Sequence, residues 1–180
     1  MKFSHLMRSI LLFGFIFEST PAWCSNAVVL SAPPIPAYRE VTSDIFRGAR
    51  PDEKGLAALV KQGIKTDLDL EDNAPAIAAE AKLAKQLGLQ FISREMSSTD
   101  SPTDSEVNDI LSILEDQSNY PLFIHCKLGE DRTGLIVALY RVLDQKWAAQ
   151  DAYQEWVQDG FHVYLKGLSS YFTQRTGYSP

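Results

Sequence analysis

The sequence predicts a single α/β domain in which helices flank a central, mostly parallel sheet of four to five strands. Short apolar segments typical of buried strands alternate with longer segments of helical period, which is the pattern of this class. An apolar run at 121–124 leads through a glycine-containing turn into a second apolar run at 135–140, as a strand leads into a helix. A chain of 180 residues also suits one domain.

The first half of the domain is predicted to contain three strands and two helices. Gly63 and Gly88 each follow a segment of helical period and are expected to end a helix. The segments between these helices carry apolar residues in the alternation typical of strands. In chain order we expect strand 41–47, helix 51–62, strand 65–70, helix 76–87 and strand 89–94.

The second half is predicted to contain one strand and four helices. Thr103 followed by Glu106 predicts a capping box at the start of the first helix. A strand then runs into Cys126, and the central helix follows it. Two more helices, expected at about 148–158 and 163–173, close the domain.

Residues 1–24 have the layout of a secretory signal peptide. Basic residues precede an apolar run at 10–17, which is too short to span a bilayer. We expect cleavage after Cys24 or after Ala27. The protein would then be exported, as a periplasmic or secreted protein, without stable insertion in the membrane.

After the signal peptide, residues 25–40 contain three prolines and are expected to form an extended lead-in to a domain at 41–175. Over the chain, 23 acidic residues outnumber 17 basic ones, which gives a net charge of -6. An acidic chain disfavours non-specific binding of nucleic acid. We therefore expect no nucleic-acid partner, and we expect phosphates to bind only through local basic groups.

Residues 125–134 are the segment around which the rest of the sequence can be interpreted. They lie at the predicted strand-to-helix turn, where free backbone N–H groups and the helix dipole favour an anion. This setting also stabilises a thiolate, which would make Cys126 a nucleophile. Arg132 offers a planar pair of donors for two phosphate oxygens, and Gly129 and Gly134 permit a tightly curled loop. The segment predicts a phosphate-binding loop with a nucleophile at its base.

The string His-Cys-(five residues)-Arg-Thr-Gly at 125–134 resembles the loop of the cysteine-based phosphatases, the superfamily of protein tyrosine and dual-specificity phosphatases. Residues 45–51 and 59–70 resemble the opening of small bacterial and plant atypical dual-specificity phosphatases, which implies a protein tyrosine phosphatase-like fold. Relatives often carry an arginine after the second strand, where this chain has an acidic segment at 70–73. The similarity continues at Tyr140-Arg141, Trp147 and Gly160-Phe161-His162.

The resemblance implies hydrolysis of phosphate monoesters by two displacements at phosphorus. The Cys126 thiolate would attack and form a phosphocysteine intermediate, which water would hydrolyse. Arg132 would bind phosphate oxygens, Thr133 would donate a hydrogen bond to the departing sulfur, and His125 would order the loop from beneath. The expected phosphate-binding residues are Lys127, Leu128, Gly129, Glu130, Asp131 and Arg132, with Gly134 supporting the loop.

The resemblance also implies an aspartate general acid on a separate loop before the preceding helix. Asp100 is the preferred candidate, because Asp104 falls in the first helical turn, where the helix dipole alone explains an acidic residue. Asp131 is a third option. Arg50 is a candidate for substrate contact, and Lys127 beside the nucleophile could pair with a second phosphate.

The leading hypothesis is a phosphatase that acts on proteins phosphorylated at tyrosine, serine or threonine. One alternative is an inositol phosphate (phytase-like) or phosphoinositide phosphatase with the same mechanism, and another is a catalytically idle phosphate-binding module. No cofactor is expected. No metal is expected either, because the three histidines, His5, His125 and His162, are too few and too scattered. The sequence leaves the oligomeric state open.

Overall fold

The computed structural model describes residues 31–180. The predicted signal peptide at 1–24 and its cleavage sites therefore lie outside the described residues. Between residues 31 and 180, no helix is both long enough and apolar enough to cross a membrane.

Within residues 31–180 the sheet has five strands in the order β1-β2-β5-β3-β4, so the predicted fold class is confirmed. Only β1 runs antiparallel to its neighbour. The carboxyl ends of the four parallel strands therefore meet at one edge, where β5 delivers Cys126 opposite Ala49 of β2. The strands are β1 Arg39–Glu40, β2 Ile45–Ala49, β3 Thr66–Asp69, β4 Gln90–Ser93 and β5 Leu122–Cys126.

In the described part of the chain, six α-helices connect and cover these strands, and polar side chains cap the starts of three of them. Asp52 and Asn73 each accept a hydrogen bond from a backbone N–H in the first turn of the first two helices. The Thr103 and Glu106 capping box is present as predicted. The helices are α1 Glu53–Lys61, α2 Ala74–Leu87, α3 Asp104–Glu115, α4 Asp131–Leu143, α5 Ala149–Gln158 and α6 Lys166–Thr176, with a 3-10 turn at Gln117–Asn119.

The central strand β5 is buried on both faces, and its side chains alternate between two cores. Leu122, Ile124 and Cys126 belong to the larger core, which includes buried residues of α3, α4, α5 and α6. Phe123 belongs to the smaller core with residues of α1 and α2, and the ring of His125 stacks on it at 5.6 Å between centroids. Cys126 and His125 therefore point to opposite faces of the sheet.

The first predicted strand differs from the observed one. We expected a strand over 41–47, but β2 begins at Ile45 because the Thr42 hydroxyl accepts hydrogen bonds from two backbone N–H groups and turns the chain. Part of the predicted lead-in also packs with the domain, since Ile35 is only 6% exposed and lies in the smaller core. Residues 35–40 therefore pack with the domain whose start was expected at 41.

The last predicted helix also begins later than expected. We predicted it over 163–173, and α6 starts at Lys166. The reason is that the chain is held in a turn before it, where the backbone N–H of His162 donates to Asp131 at 2.9 Å.

Candidate active site

The predicted loop connects β5 to α4 at the carboxyl edge of the sheet. Cys126 ends the strand and is 2% exposed, and α4 begins at Asp131. Glu130, the residue before the helix, does not cap it with its side chain. The first-turn N–H groups of α4 are therefore left to bind an anion in the loop.

Gly129 lets the loop lie against strand β2. Its φ of +75° is unfavourable for other residues, and a Cβ at this position would overlap the backbone of Gly48. On the same side, the buried Arg47 donates from Nη2 to the Gly129 carbonyl at 2.6 Å and from Nη1 to Asp159 at 2.8 Å. The curvature of the loop is therefore fixed by contacts from outside it, and Arg47 is a support that the sequence did not reveal.

Gly134 supports the loop from inside a helix rather than as a flexible residue of the turn. It lies inside α4, where a Cβ would overlap the indole of Trp156. The same indole donates a hydrogen bond from Nε1 to the Glu130 carbonyl at 3.2 Å. Gly134 therefore allows α5 to approach the base of the loop, and Trp156 then fixes the loop.

Arg132 lies on the first turn of α4 and is 6% exposed. Its Nη1 donates to the carbonyls of Leu70 at 3.3 Å and Met96 at 3.2 Å, and to Asp72 Oδ1 at 3.0 Å. The two carbonyls hold the guanidinium in place. Asp72 is 47% exposed and contacts this cation from the wall of the cavity described below.

The Thr133 hydroxyl is buried and has no hydrogen-bond partner among residues 31–180. The hydrogen bond to the Cys126 sulfur that the resemblance implies is not formed in this conformation. A buried hydroxyl without a partner costs free energy. The Thr133 hydroxyl is therefore free to donate a hydrogen bond.

A cavity of about 470 Å³ opens above the loop. Three basic and three acidic side chains contribute to its wall, so its formal charge is balanced. Gly129, Glu130, Thr133 and Gly134 of the predicted set support the loop without lining the cavity. The lining residues are Arg50, Glu71, Asp72, Asn73, Ala76, Ser98, Cys126, Lys127, Leu128, Asp131 and Arg132.

Neither of the two favoured general-acid candidates lines this cavity. Asp100 is exposed and accepts a hydrogen bond from the Ser97 hydroxyl at 2.9 Å, although Ser98 of the same loop does line it. Asp104 accepts hydrogen bonds from Tyr171 and Arg175 on α6.

Asp131 does line the cavity, but it is bound to the backbone N–H of His162, with the His162 ring Nδ1 at 3.1 Å. Asp72 is an acidic lining residue that the sequence reasoning did not propose for a role. The acidic segment at 70–73, noted as a departure from relatives, was the available signal.

The two candidate substrate contacts both lie in the wall. Arg50 forms an ion pair with Glu71 at 3.1 Å, and its side chain is 37% exposed. Lys127 is exposed and directly follows the nucleophile.

His125 lies beneath the loop, fully buried among carboxylates. Its Nε2 is 3.2 Å from Asp67 Oδ1 and 3.1 Å from Glu80 Oε1, and its Nδ1 is 3.8 Å from Asp69 Oδ1. Burial opposes a charge on this ring, but Asp67 and Glu80 outweigh burial and raise the pKa of His125 well above its usual value. Burial raises the pKa of Glu80 to about 7, against the opposing effect of His125.

Residues of the kind that bind metal ions nevertheless come together around His125. Among residues 31–180, three groups of His, Asp and Glu bring potential ligand atoms together, and two of them include His125. The sequence signal for these two was the Asp-Leu-Asp-Leu alternation at 67–70. It places two aspartates on one face of a buried strand.

Comparison with known proteins decides the family. Residues 35–164 match the model of a family described as PTP-NADK, "DSP-PTPase phosphatase fused to NAD+ Kinase". The chain belongs to this family of dual-specificity phosphatases. The resemblance drawn from the loop sequence is thereby confirmed.

Among the relatives of this chain, the dual specificity protein phosphatase TpbA of Pseudomonas aeruginosa is 32% identical over 144 residues. The match covers 79% of this chain but only 61% of TpbA, so the chain spans less than two thirds of that relative. Inositol diphosphatase DSP2 of Oryza sativa is 30% identical over 149 residues, which cover 79% of this chain and 70% of that protein.

Solved structures agree with the dual-specificity phosphatase fold. The crystal structure of P. aeruginosa TpbA matches with a TM-score of 0.67 at 25% identity, covering 77% of this chain and 84% of that one. The catalytic core of the PP-IP phosphatase Siw14 of S. cerevisiae, solved with citrate, matches with a TM-score of 0.68 at 22% identity. That match covers 78% of this chain and 88% of the Siw14 core.

Proposed function

We propose that this protein is a cysteine-dependent phosphatase that hydrolyses phosphate monoesters through a phosphocysteine intermediate. The observation that carries the proposal is the meeting of Cys126, the Arg132 guanidinium and the uncapped start of α4 at one cavity. A thiolate, a bidentate cation and converging N–H groups are the parts that phosphoryl transfer to sulfur requires.

The reaction consists of two displacements. The Cys126 thiolate forms the S–P bond as the P–O ester bond breaks, and the leaving oxygen takes a proton from the general acid. Water then forms a new P–O bond as the S–P bond breaks, and the same carboxylate accepts the proton of that water. Thr133 donates its free hydroxyl to the returning thiolate.

Substrate binding replaces an ion pair. Asp72 contacts Arg132 from the exposed side, so the substrate phosphate takes the position of that carboxylate. The guanidinium stays in place because the Leu70 and Met96 carbonyls hold it. The cavity is therefore organised before the phosphate arrives, which keeps the cost of binding low.

The charge balance of the wall favours a substrate with one phosphate. A highly phosphorylated inositol would meet three carboxylates as well as three cations, and Arg50 is already paired with Glu71. We therefore propose proteins phosphorylated on tyrosine, serine or threonine as the preferred substrates, in line with the name of TpbA. The inositol alternative is supported by Lys127 beside the nucleophile and by the name of the rice relative.

The deciding experiment measures phosphate release by the purified protein and by Cys126→Ser. The substrates are phosphotyrosine and phosphothreonine peptides, phosphoinositides and inositol hexakisphosphate. Release that is lost in Cys126→Ser, and is fastest on peptides, supports the proposal. Faster release from the inositol compounds would favour the alternative, and phosphate binding without release would point to an idle module.

For the general acid we propose Asp100. It is two residues from Ser98, which lines the cavity. Asp104 already accepts hydrogen bonds from Tyr171 and Arg175, and Asp131 accepts one from the backbone N–H of His162. Asp100→Asn should lower kcat by about 10²–10⁴-fold on a phosphotyrosine peptide, but little on dinitrophenyl phosphate, whose leaving group needs no proton. Asp104→Asn is the matched control and should turn over both substrates normally.

We also propose that the protein is exported and loses residues 1–24 or 1–27. The basic start and the apolar run at 10–17 support this. Mass spectrometry of the protein recovered from periplasm and medium would identify the mature N-terminus. A full-length chain confined to the cytosol would contradict the proposal.

A further inference from the structure

The buried cluster around His125 lies on the face of the sheet opposite the Cys126 side chain. Register places Asp69 of β3 directly beside His125 of β5, and Asp67 lies two residues earlier on the same face. Glu80 reaches the cluster from α2, which packs on this face. Asp67, Asp69 and His125 are fully buried, and Glu80 is 3% exposed.

The cluster is not satisfied by hydrogen bonds within residues 31–180. Neither ring nitrogen of His125 forms one, nor does any carboxylate oxygen of Asp67 or Glu80. Nε2 nevertheless points between Asp67 Oδ1 at 3.2 Å and Glu80 Oε1 at 3.1 Å. A single N–H cannot be aligned with two oxygens at once, so without a proton on Glu80 one buried carboxylate is left uncompensated. Buried carboxylates of this kind are found paired or bound to a metal ion.

We propose that Asp67, Glu80 and His125 bind a divalent metal ion, zinc by preference. Zinc takes imidazole nitrogen and carboxylate oxygen at about 2.0–2.2 Å in a tetrahedron, whose edges are then about 3.3–3.6 Å. The two nitrogen-to-oxygen distances of 3.1 and 3.2 Å are close to that edge length. Water or a second carboxylate oxygen would fill the fourth coordination position.

Asp69 gives independent support to this assignment. A histidine that binds a metal through one ring nitrogen usually directs the N–H of the other to a carboxylate, which fixes the ring. Nδ1 of His125 lies 3.8 Å from Asp69 Oδ1, which is beyond hydrogen-bond distance in this structure but leaves Asp69 as the carboxylate nearest that nitrogen; the same oxygen accepts a hydrogen bond from the backbone N–H of Glu71. Asp69 therefore acts as a positioning residue for the ligand.

The site lies close to the surface, although both carboxylate oxygens of Glu80 are buried. Glu80 also lines a surface depression of about 280 Å³ with Arg50, Pro51, Ala76, Ala79 and Leu83. The bound ion would lie beneath the phosphate-binding loop, since His125 directly precedes Cys126, and it would stabilise the loop without touching substrate. The metal site does not depend on the proposed function.

The test is zinc binding by the full-length protein carrying Cys126→Ser, which prevents coordination by that thiolate. After removal of metal by a chelator, Zn²⁺ is titrated against a chromophoric chelator and the bound metal is counted by atomic spectrometry. We expect one tightly bound equivalent and a melting temperature that rises with zinc. Glu80→Gln and Asp67→Asn should each weaken binding by about 100-fold or more, and Asp69→Asn by about 10–100-fold.

Two further measurements separate this site from other zinc binding. His162→Gln disrupts the more exposed group of Glu130, Asp131 and His162, and it should leave the tight equivalent intact. Co²⁺ bound in place of zinc should give the visible absorption of a four-coordinate site without a thiolate band, a readout that needs no ligand variant to fold.

The proposal is overturned by substoichiometric zinc or by unchanged affinity in Glu80→Gln and Asp67→Asn. A protein that binds no zinc and becomes more stable on Glu80→Gln would also overturn it. That result would show that protons, rather than a metal ion, neutralise the cluster.

Discussion

Arg47→Met tests whether the phosphate-binding loop is held in shape from β2. The Arg47 side chain is 3% exposed and ties the Gly129 carbonyl to Asp159. Removing one partner of a buried ion pair costs about 3–5 kcal/mol. Arg39 also contacts Asp159, at 3.2 Å, and partly compensates that carboxylate after the substitution. We therefore expect the lower end, a loss of about 3 kcal/mol in the free energy of unfolding.

Urea unfolding followed by fluorescence measures this loss, and the melting temperature should fall by about 6–12 °C. Arg39→Met is the matched control, because it removes an arginine from the same carboxylate at a site that is 55% exposed. That control should cost less than about 1 kcal/mol. Arg47→Met should also lower kcat, since the Gly129 carbonyl loses its donor. Equal losses of stability in the two variants would refute the reasoning.

Three further predictions test the loop, the cavity and a helix cap. Gly134→Ala forces a methyl group against Trp156 and should cost about 1–3 kcal/mol of stability, measured by urea unfolding; an unchanged midpoint would contradict the overlap. Asp72→Asn removes the carboxylate that competes for Arg132 and should tighten inhibition by inorganic phosphate by about two- to fivefold. Weaker inhibition would instead give Asp72 a direct part in binding. Thr103→Ala removes the cap of α3 and should cost about 1 kcal/mol, with Thr103→Ser as the variant that retains it.

The parts of the site that the sequence predicted are local in the chain. A strand, a tight turn and a helix start within 122–135 contain the nucleophile, the arginine and the N–H groups, so ten consecutive residues carried the prediction. The fold class followed in the same way, because the periods of strands and helices are local. Element ends were less certain, since Thr42 and His162 shift them through single side-chain or backbone hydrogen bonds.

The contacts that the sequence did not predict join distant segments. Asp72 and Arg132 are 60 residues apart, and Arg47 and Gly129 are 82 apart. The carboxylates around His125 could not be assigned without the register of β3 against β5, which decides which side chains share a face. The sequence signal was the presence of two aspartates in a segment predicted to be a buried strand.

The contact between Gly134 and Trp156 limits which substitutions these two positions can accept during evolution. Even a methyl group at position 134 costs stability while the indole is in place, so a path to a larger residue there is easiest after Trp156 has become smaller. That first step would itself remove the hydrogen bond to the Glu130 carbonyl. Lineages with a larger residue at position 134 should therefore also have a smaller one at position 156.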